Sequence, residues 1–480
     1  MELWLSNTLT HKKELFAPIT PGKVTIYSCG PTVYSQQHLW NLRAVFVVEL
    51  LRNILKYAGG YDVTHVMNIT DVWHLTWDNE WDADHGEDRM EKGSKREWIT
   101  ARDVAKKYTD IFLQDIRALR IDEFSYMPKA TDHIAEQIAI IKELETKGFT
   151  YVISGDGVYM DTSKDADYGV LVSKKHIEWL QSGARIQDSG KKNPTDFALW
   201  KFNITWKKRD MEWESPRGIG FPGWHIECSA MSMKYLGDHI DIHTWWVEHI
   251  AIHHTNEIAQ SECSHGNHPW VNYWVHYQWL MMNGKKIAKS DGNVAFMGQV
   301  LEKGYTGEDL RYFFLQAHYT NFQDFTRDGL AAAQAARKNI IKKIAAYTND
   351  EIMSRYQPQL EDCNDIILHQ LWHHLVDDMD TPQCLATIWK MLDVLNEEVV
   401  KALLYLDNHV LKLGLYEGVV SMFEKKEIDI PDDVKKLADD RRQAKKDKEF
   451  SKSDDLRKQI DALWWEVKDE KDGFVLTKKL

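Results

Sequence analysis

The chain has 480 residues, of which 43% are hydrophobic, and a net charge of −13 at neutral pH. That length exceeds one ordinary core and predicts two to four domains. No run of about 20 apolar residues exists, which excludes a membrane-spanning helix, and the acidic balance speaks weakly against nucleic acid as a partner of the whole chain. The N-terminus has no charged segment followed by an apolar one, so no secretory signal is expected, and a cytoplasmic location is. Five scattered cysteines do not make a disulfide framework; they suit a reducing compartment, with some left for metal. Tryptophan is abundant, at 20 residues, while the 26 glycines make about 5.4% of the chain against a usual ~7%.

In chain order, Val24 to Tyr27 reads as a buried strand running into a turn at Gly30-Pro31. A strongly apolar helix follows from about Leu42 to Tyr57, closed by Gly59-Gly60, and Asp62 to Asn68 reads as a second strand. This strand–helix–strand unit predicts a parallel α/β sheet, whose ligands sit beyond the C-terminal strand ends; Cys29 and His38 fall on that side. Asp82 to Glu97 is polar and is expected to be a loop; Ala101 to Ala118 is helical, and residues 121–201 look like an insertion with a hairpin at Tyr151 to Tyr159. Ile240 to His243 and Val271 to Met282 are strand-like. The lysines of the Gly284 to Gly292 segment, on a mobile loop, suit a polyanionic phosphate, although a lone basic loop of this kind is more often only solvated.

Helical patterns then run over Ala331 to Tyr347, Asp365 to Val376, Thr381 to Val400 and Val410 to Phe423, which predicts an antiparallel bundle. A charged stretch at 432–460 is locally basic, and a contact with a phosphate backbone is expected there.

One stretch carries metal chemistry. His253 and Glu257 lie four apart in a helical pattern and so share a face. Spacing alone favours a hydrogen bond across a helix surface. Cys29, just past a strand, and Cys228, in Gly223-Trp224-His225-Ile226-Glu227-Cys228-Ser229, could supply the other half of a site. Two thiolates, an imidazole and a carboxylate suit zinc better than magnesium or calcium.

Taken together, Asn7-Thr8-Leu9-Thr10, Cys29-Gly30-Pro31-Thr32-Val33-Tyr34, Asn68-Ile69-Thr70-Asp71, Gly183-Ala184-Arg185, the Cys228 segment and His253 to Ser261 resemble the class I cysteinyl-tRNA synthetases over essentially the whole chain. His38-Leu39-Trp40-Asn41 stands for that family's His-Ile-Gly-His motif, and Lys286-Ile287-Ala288-Lys289-Ser290 for its Lys-Met-Ser-Lys-Ser loop. The resemblance implies a Rossmann-like parallel-sheet catalytic domain (1–120 and 202–283) split by an insertion (121–201). A phosphate-loop and stem-contact region (284–330), a helical bundle (331–425) and a small anticodon-recognition domain (426–480) follow.

It implies one zinc ion held by Cys29, Cys228, His253 and Glu257, and Cys29, Thr70 and Trp224 at the amino acid. ATP with magnesium would lie among His38, Asn41, Trp224, Glu248, Lys286, Lys289 and Ser290, with His38, Lys286 and Lys289 catalytic. The partners implied are cysteine, ATP and tRNA(Cys), acting on a monomer. The implied reaction makes cysteinyl-adenylate and passes the cysteinyl group to tRNA. The ion would separate cysteine from serine, near-isosteres that a plain pocket distinguishes by only ~1–3 kcal/mol.

The departures from the family share one form. Trp40, Trp245 and Trp246 stand at expected glycines, as do Trp73, Trp98 and Trp464, with Trp77, Trp81 and Trp206 as further cases. UGA codons that specify glycine in the source lineage, translated as tryptophan, would produce this pattern. If instead the tryptophans are those of the working protein, the nucleotide pocket is partly plugged. A catalytically silent zinc- and tRNA-binding paralogue then becomes an alternative. A cysteine:amino-sugar ligase is another, but that relative lacks a helical extension like 331–480. Asn41, Ile287, Ala288 and Glu248 are milder departures.

Overall fold

The computed structural model describes residues 1–72, 75–76, 87–172, 190–203, 210–282, 284–286, 296–348, 353, 363–423, 431–470 and 473–478. β1 (Lys23–Ser28) leads into α1 (Leu39–Tyr57), and β2 (Asp62–Met67) returns beside β1 in parallel register from Lys23↔Asp62 to Ser28↔Met67. β3 (Ile240–Trp246) and β4 (Val271–Tyr277) complete a sheet of order β4-β3-β1-β2 in which every pairing is parallel. Both faces are covered, which is why the strands are rich in apolar residues; Ile26, Tyr27, Ile242 and Tyr277 expose no surface. This is the Rossmann-like sheet expected, and its strand C-termini share one edge.

Between β2 and β3 the chain builds an antiparallel sheet from Thr150–Ile153, Gly157–Met160, Phe197–Phe202 and Gly220–Pro222. Its first pair is the expected hairpin. Its last strand draws residues beyond 201 into the inserted sheet. The stretch expected as a loop over 82–97 contains a helix at Arg89–Glu97; with almost no apolar residue it shows no periodicity to read.

The single helix expected over Thr381–Val400 is two, Thr381–Met391 and Glu397–Leu406. Asn396 explains the break, since its side chain accepts from the Val399 N–H and caps a new start. The helix expected from Val410 begins only at Leu415. Before it, Asp407–Leu411 form a π turn, and the Asp407 carboxylate accepts from the Leu413 and Leu415 N–H groups at 2.6 and 2.7 Å.

That irregular turn is tied to α1 by buried charge. Arg311 meets Glu49 of α1 at 3.0 Å and donates to the carbonyls of Leu119, Val410 and Leu411, while Lys412 lies 2.8 Å from Glu49. Glu49 and Arg311 are fully buried, so each depends on the other for its charge to be tolerable.

The chain divides into two compact units, Met1–Val420 and Ser421–Leu480. In the second, helices at Asp432–Lys446 and Phe450–Ala462 and a hairpin of Trp465–Glu470 with Gly473–Lys478 enclose Val434, Ala438, Ile460, Trp465 and Val467. No described helix is long and apolar enough to cross a membrane.

Two of the tryptophans at expected glycines sit in left-handed backbone. Trp98 follows the 89–97 helix at φ 59° and is 93% exposed; Trp464 follows the 450–462 helix at φ 65° and is 66% exposed. A left-handed residue just past a helix end is glycine's usual post, and an exposed indole gains little packing to offset the strain. Trp98→Gly and Trp464→Gly are each expected to stabilise the chain by about 1 kcal/mol. The readout is a higher urea midpoint at unchanged slope; a lower midpoint counts against glycine at these posts.

Candidate metal centre

β1 ends at Ser28 and delivers Cys29 to the C-terminal edge of the sheet. The next residue has to be glycine, because a Cβ at Gly30 would lie 1.4 Å from the Asn68 carbonyl oxygen. This close approach lets the Asn68 side chain accept from the Gly30 N–H at 2.7 Å and donate to Thr70 Oγ1 at 3.0 Å, which fixes the loop bearing Cys29. Cys228 lies in α3 (Trp224–Leu236; α2 is Ala101–Ala118). His253 belongs to a π turn, Ile250–His254, that precedes α4 (Thr255–His265), and Glu257 is in the first turn of α4. The helix expected here thus starts with a wider turn, yet His253 and Glu257 still meet.

The four donor atoms of Cys29, Cys228, His253 and Glu257 all lie within 4.8 Å of one another, and all four residues are buried. The two Sγ atoms are 3.9 Å apart, and Cys29 Sγ is 3.7 Å from Glu257 Oε1. A tetrahedral zinc ion with ordinary bond lengths has edges of ~3.8 Å between sulfurs and ~3.6 Å from sulfur to oxygen. His253 Nε2 and Glu257 Oε1, at 2.9 Å, are somewhat closer than such an edge. Even so, His253 Nε2 makes no hydrogen bond: nitrogen and oxygen converge side by side instead of pointing at each other. The donor set therefore fits zinc.

The surroundings orient these donors. His253 Nδ1 contacts His225 Nδ1 at 2.9 Å, leaving Nε2 to face the cluster. His243 Nε2 contacts Glu257 Oε2 at 3.0 Å, leaving Oε1 for the same purpose. Such outer partners set the ring orientation and basicity of metal ligands. A second group, Cys29, His243, His254 and Glu257, is equally close-packed. It is the poorer zinc site, with one sulfur and with His243 already engaged by the second carboxylate oxygen.

The motif pattern leaves out most of this histidine layer. His243 and His276 come from β3 and β4, His254 from the π turn and His225 from α3, and all four are buried. They continue the cluster: Cys29 Sγ lies 3.5 Å from His254 Nε2, His254 Nδ1 2.7 Å from His276 Nε2, and His276 Nδ1 2.7 Å from Thr8 Oγ1. Burial pushes the His254 imidazole down, and that of His276 to about 3, so both stay neutral. Burial would push the Glu257 carboxyl up, but His243 and His253 outweigh it and hold it below its usual range. A histidine inside a strand covered on both faces was the available signal for this layer.

Other expected site residues lie on the same edge. The Trp224 ring lies 4.3 Å from that of His253, Thr70 is buried beside Asn68, and Glu248 sits in the turn just past β3. His38 is the residue before α1, and Asn41 donates to Gln37 Oε1 at 2.6 Å. Burial pushes the His38 imidazole down to about 4, and both ring nitrogens lack hydrogen-bond partners. Its ring is flanked by Phe296 at 4.9 Å and Trp40 at 5.5 Å. Trp245 and Trp246 end β3 and pack on Tyr277 at 6.1 and 5.0 Å, only 5% and 7% exposed. Three indoles thus occupy the edge where ligands of parallel sheets bind. The Lys286 backbone pairs with Met281 in a hairpin. Its side chain, with Lys289, Ser290, the 183–185 motif and Trp73, Trp77, Trp81 and Trp206, falls outside the described residues.

Comparison with known proteins agrees with this architecture. The family model for the tRNA synthetases class I (C) catalytic domain matches residues 15–335. A cysteine–tRNA ligase of Treponema denticola is 38% identical, covering 96% of this chain and 97% of its own length. Cysteine–tRNA ligase 1 of Burkholderia lata is 39% identical, covering 98% of this chain and 96% of its own. Among solved structures, methionyl-tRNA synthetase of Mycobacterium tuberculosis, bound by methionyl-adenylate, shares the fold with a TM-score of 0.55 at 12% identity, over 83% of this chain and 92% of that one. With a matched catalytic domain and relatives alike from end to end, the chain belongs to the cysteine–tRNA ligase family of class I aminoacyl-tRNA synthetases.

Proposed function

We propose that this chain activates cysteine with ATP and transfers the cysteinyl group to tRNA(Cys), using one zinc ion held by Cys29, Cys228, His253 and Glu257. The observation that carries this is the buried four-donor cluster at the C-terminal edge of the sheet. Zinc bound there ligates a thiolate far better than a hydroxyl and so supplies selection of cysteine over serine.

The chain's own residues do the rest. His243 and His225 hold Glu257 and His253 in place, and the neutral layer of His254 and His276 adds no competing cation. The Trp224 ring covers His253 and helps exclude water. His38, with two unpartnered ring nitrogens at the start of α1, is placed to hydrogen-bond a phosphate oxygen, and the helix dipole favours an anion at that end. Lys286 and Lys289 act in the same reading as counter-charges to the triphosphate during in-line displacement, with magnesium accompanying ATP. The protein works as a monomer in the cytoplasm.

The relatives align through the helical region as well as the catalytic domain, which a shorter amino-sugar ligase does not account for. A silent paralogue is favoured by one observation, the three indoles at the ligand edge. The deciding measurements are zinc content and cysteine-dependent exchange of pyrophosphate into ATP. One zinc per chain and exchange with cysteine but not serine are expected; a metal-free chain, or exchange equal with serine, defeats the reading.

A further inference from the structure

A second polar feature stands near the metal centre. A cavity of about 230 Å³ is lined by Arg102, Lys106, Lys129, Asp71, Asp132 and Trp213, among others. Arg102 and Lys106 are four apart on α2 and project from one face. Lys129 comes from a segment fixed to the loop after β2: Ile69 N–H donates to the Pro128 carbonyl at 2.8 Å, and Thr131 N–H and Oγ1 donate to the Asp71 carboxylate at 2.9 and 2.7 Å. All three cations are exposed, and among the described residues none makes a hydrogen bond or an ion pair. Asp71, by contrast, is buried and engaged by Thr131. The lining thus offers uncommitted positive charge beside the half-buried indole of Trp213.

Position and size narrow the ligand. Asp71 is three residues past Asn68, whose Oδ1 lies 3.8 Å from Cys228 Sγ. Three residues span at most ~11 Å, so the floor of the cavity adjoins the place where the amino acid would be held. The volume is below the ~300–1,000 Å³ usual for a complete small-molecule ligand, so the cavity suits one segment of something longer. Cations that follow a backbone together with an aromatic face for a base are the features by which proteins hold single-stranded nucleic acid.

We propose that this cavity binds the phosphodiester backbone of the single-stranded 3′ tail of the tRNA, with Arg102, Lys106 and Lys129 on phosphates and Trp213 against a base, so that the terminal ribose is directed to the metal-side pocket. The proposal rests on the tRNA reading above and deepens it. It concerns binding and needs no turnover of ATP, so the indoles at the nucleotide edge do not affect its test.

The test is fluorescence anisotropy with two forms of the cognate tRNA, one intact and one lacking its last four nucleotides. Both are titrated onto the full chain and onto an Arg102→Gln, Lys106→Gln double variant, whose changes are at the surface. Clipping is expected to weaken binding to the unaltered chain by roughly tenfold or more, and to the double variant by less than about twofold. With intact tRNA, the slope of log K against log salt should become shallower by about 1.4, the contribution of two single-strand phosphate contacts. Equal clipping penalties for the two proteins overturn the cavity assignment and leave the tRNA reading standing. Failure of the unaltered chain to prefer this tRNA over an unrelated RNA overturns both.

Discussion

Changing Trp40, Trp245 and Trp246 together to glycine is expected to raise the affinity for ATP by at least about tenfold, or ~1.4 kcal/mol. The three indoles fill the C-terminal edge of the sheet, where ligands of this architecture bind. Trp245 and Trp246 are almost fully buried against Tyr277, and Trp40 leans on the ring of His38. ATP can enter only by displacing them, and their buried contacts would be lost in doing so. Isothermal titration of the two proteins gives the answer, and micromolar binding by the tryptophan form refutes a plugged pocket.

The same variant separates two accounts of the indoles. As ordinary core residues, each would cost about 3–5 kcal/mol on truncation, and three losses together would unfold most proteins. If the positions were glycine in the functional protein, the fold tolerates glycine there, and a cooperative unfolding transition survives. Trp98 and Trp464, in left-handed backbone, already point to the second account. Sequencing the codons decides the origin: UGG at these sites ends the recoding explanation.

Glu257→Gln is expected to reduce bound zinc from one per chain to less than about a tenth, with cysteine-dependent exchange falling at least a hundredfold. The amide can still fill the space, but it removes the negative charge that offsets the ion and that His243 and His253 face from two sides. Metal analysis after dialysis is the direct measurement, and retention of stoichiometric zinc would remove Glu257 from the ligand set.

Stripping the metal has its own pH signature. In the metal-free chain the Glu257 carboxyl is held down, while His253 is raised to about 10, burial opposing and Glu257 outweighing it. The carboxylate contribution is present above its unfolded value and is lost in acid. The imidazolium contribution is complete below ~6.5 and is lost as pH rises towards about 10. The stripped chain should therefore lose stability on both sides of a window at roughly pH 4.5–6.5.

The site was legible in the sequence where chemistry forces a residue type. Cys29, Cys228, His253 and Glu257 are placed in separate elements, and the structure brings their donor atoms together. The first strand–helix–strand unit was equally clear, because a sheet covered on both faces needs continuous apolar strands. What the pattern concealed has physical causes. Arg89–Glu97 forms a helix with almost no apolar face, so periodicity has nothing to report. The break between Met391 and Glu397 depends on one capping asparagine, Asn396. The histidine layer gathers from two strands, a π turn and a helix, and only the folded chain shows that His243, His254 and His276 are neighbours.

The pairing of Glu49 with Arg311 and Lys412 also limits how short this protein could become. Arg311 spends its donors on Glu49, Leu119, Val410 and Leu411. A gene ending before residue 407 would take away two of those four acceptors and one of the two cations beside Glu49. The sheet that holds the metal ligands is thus not a free-standing module: its own interior depends for neutrality on chain made about 350 residues later.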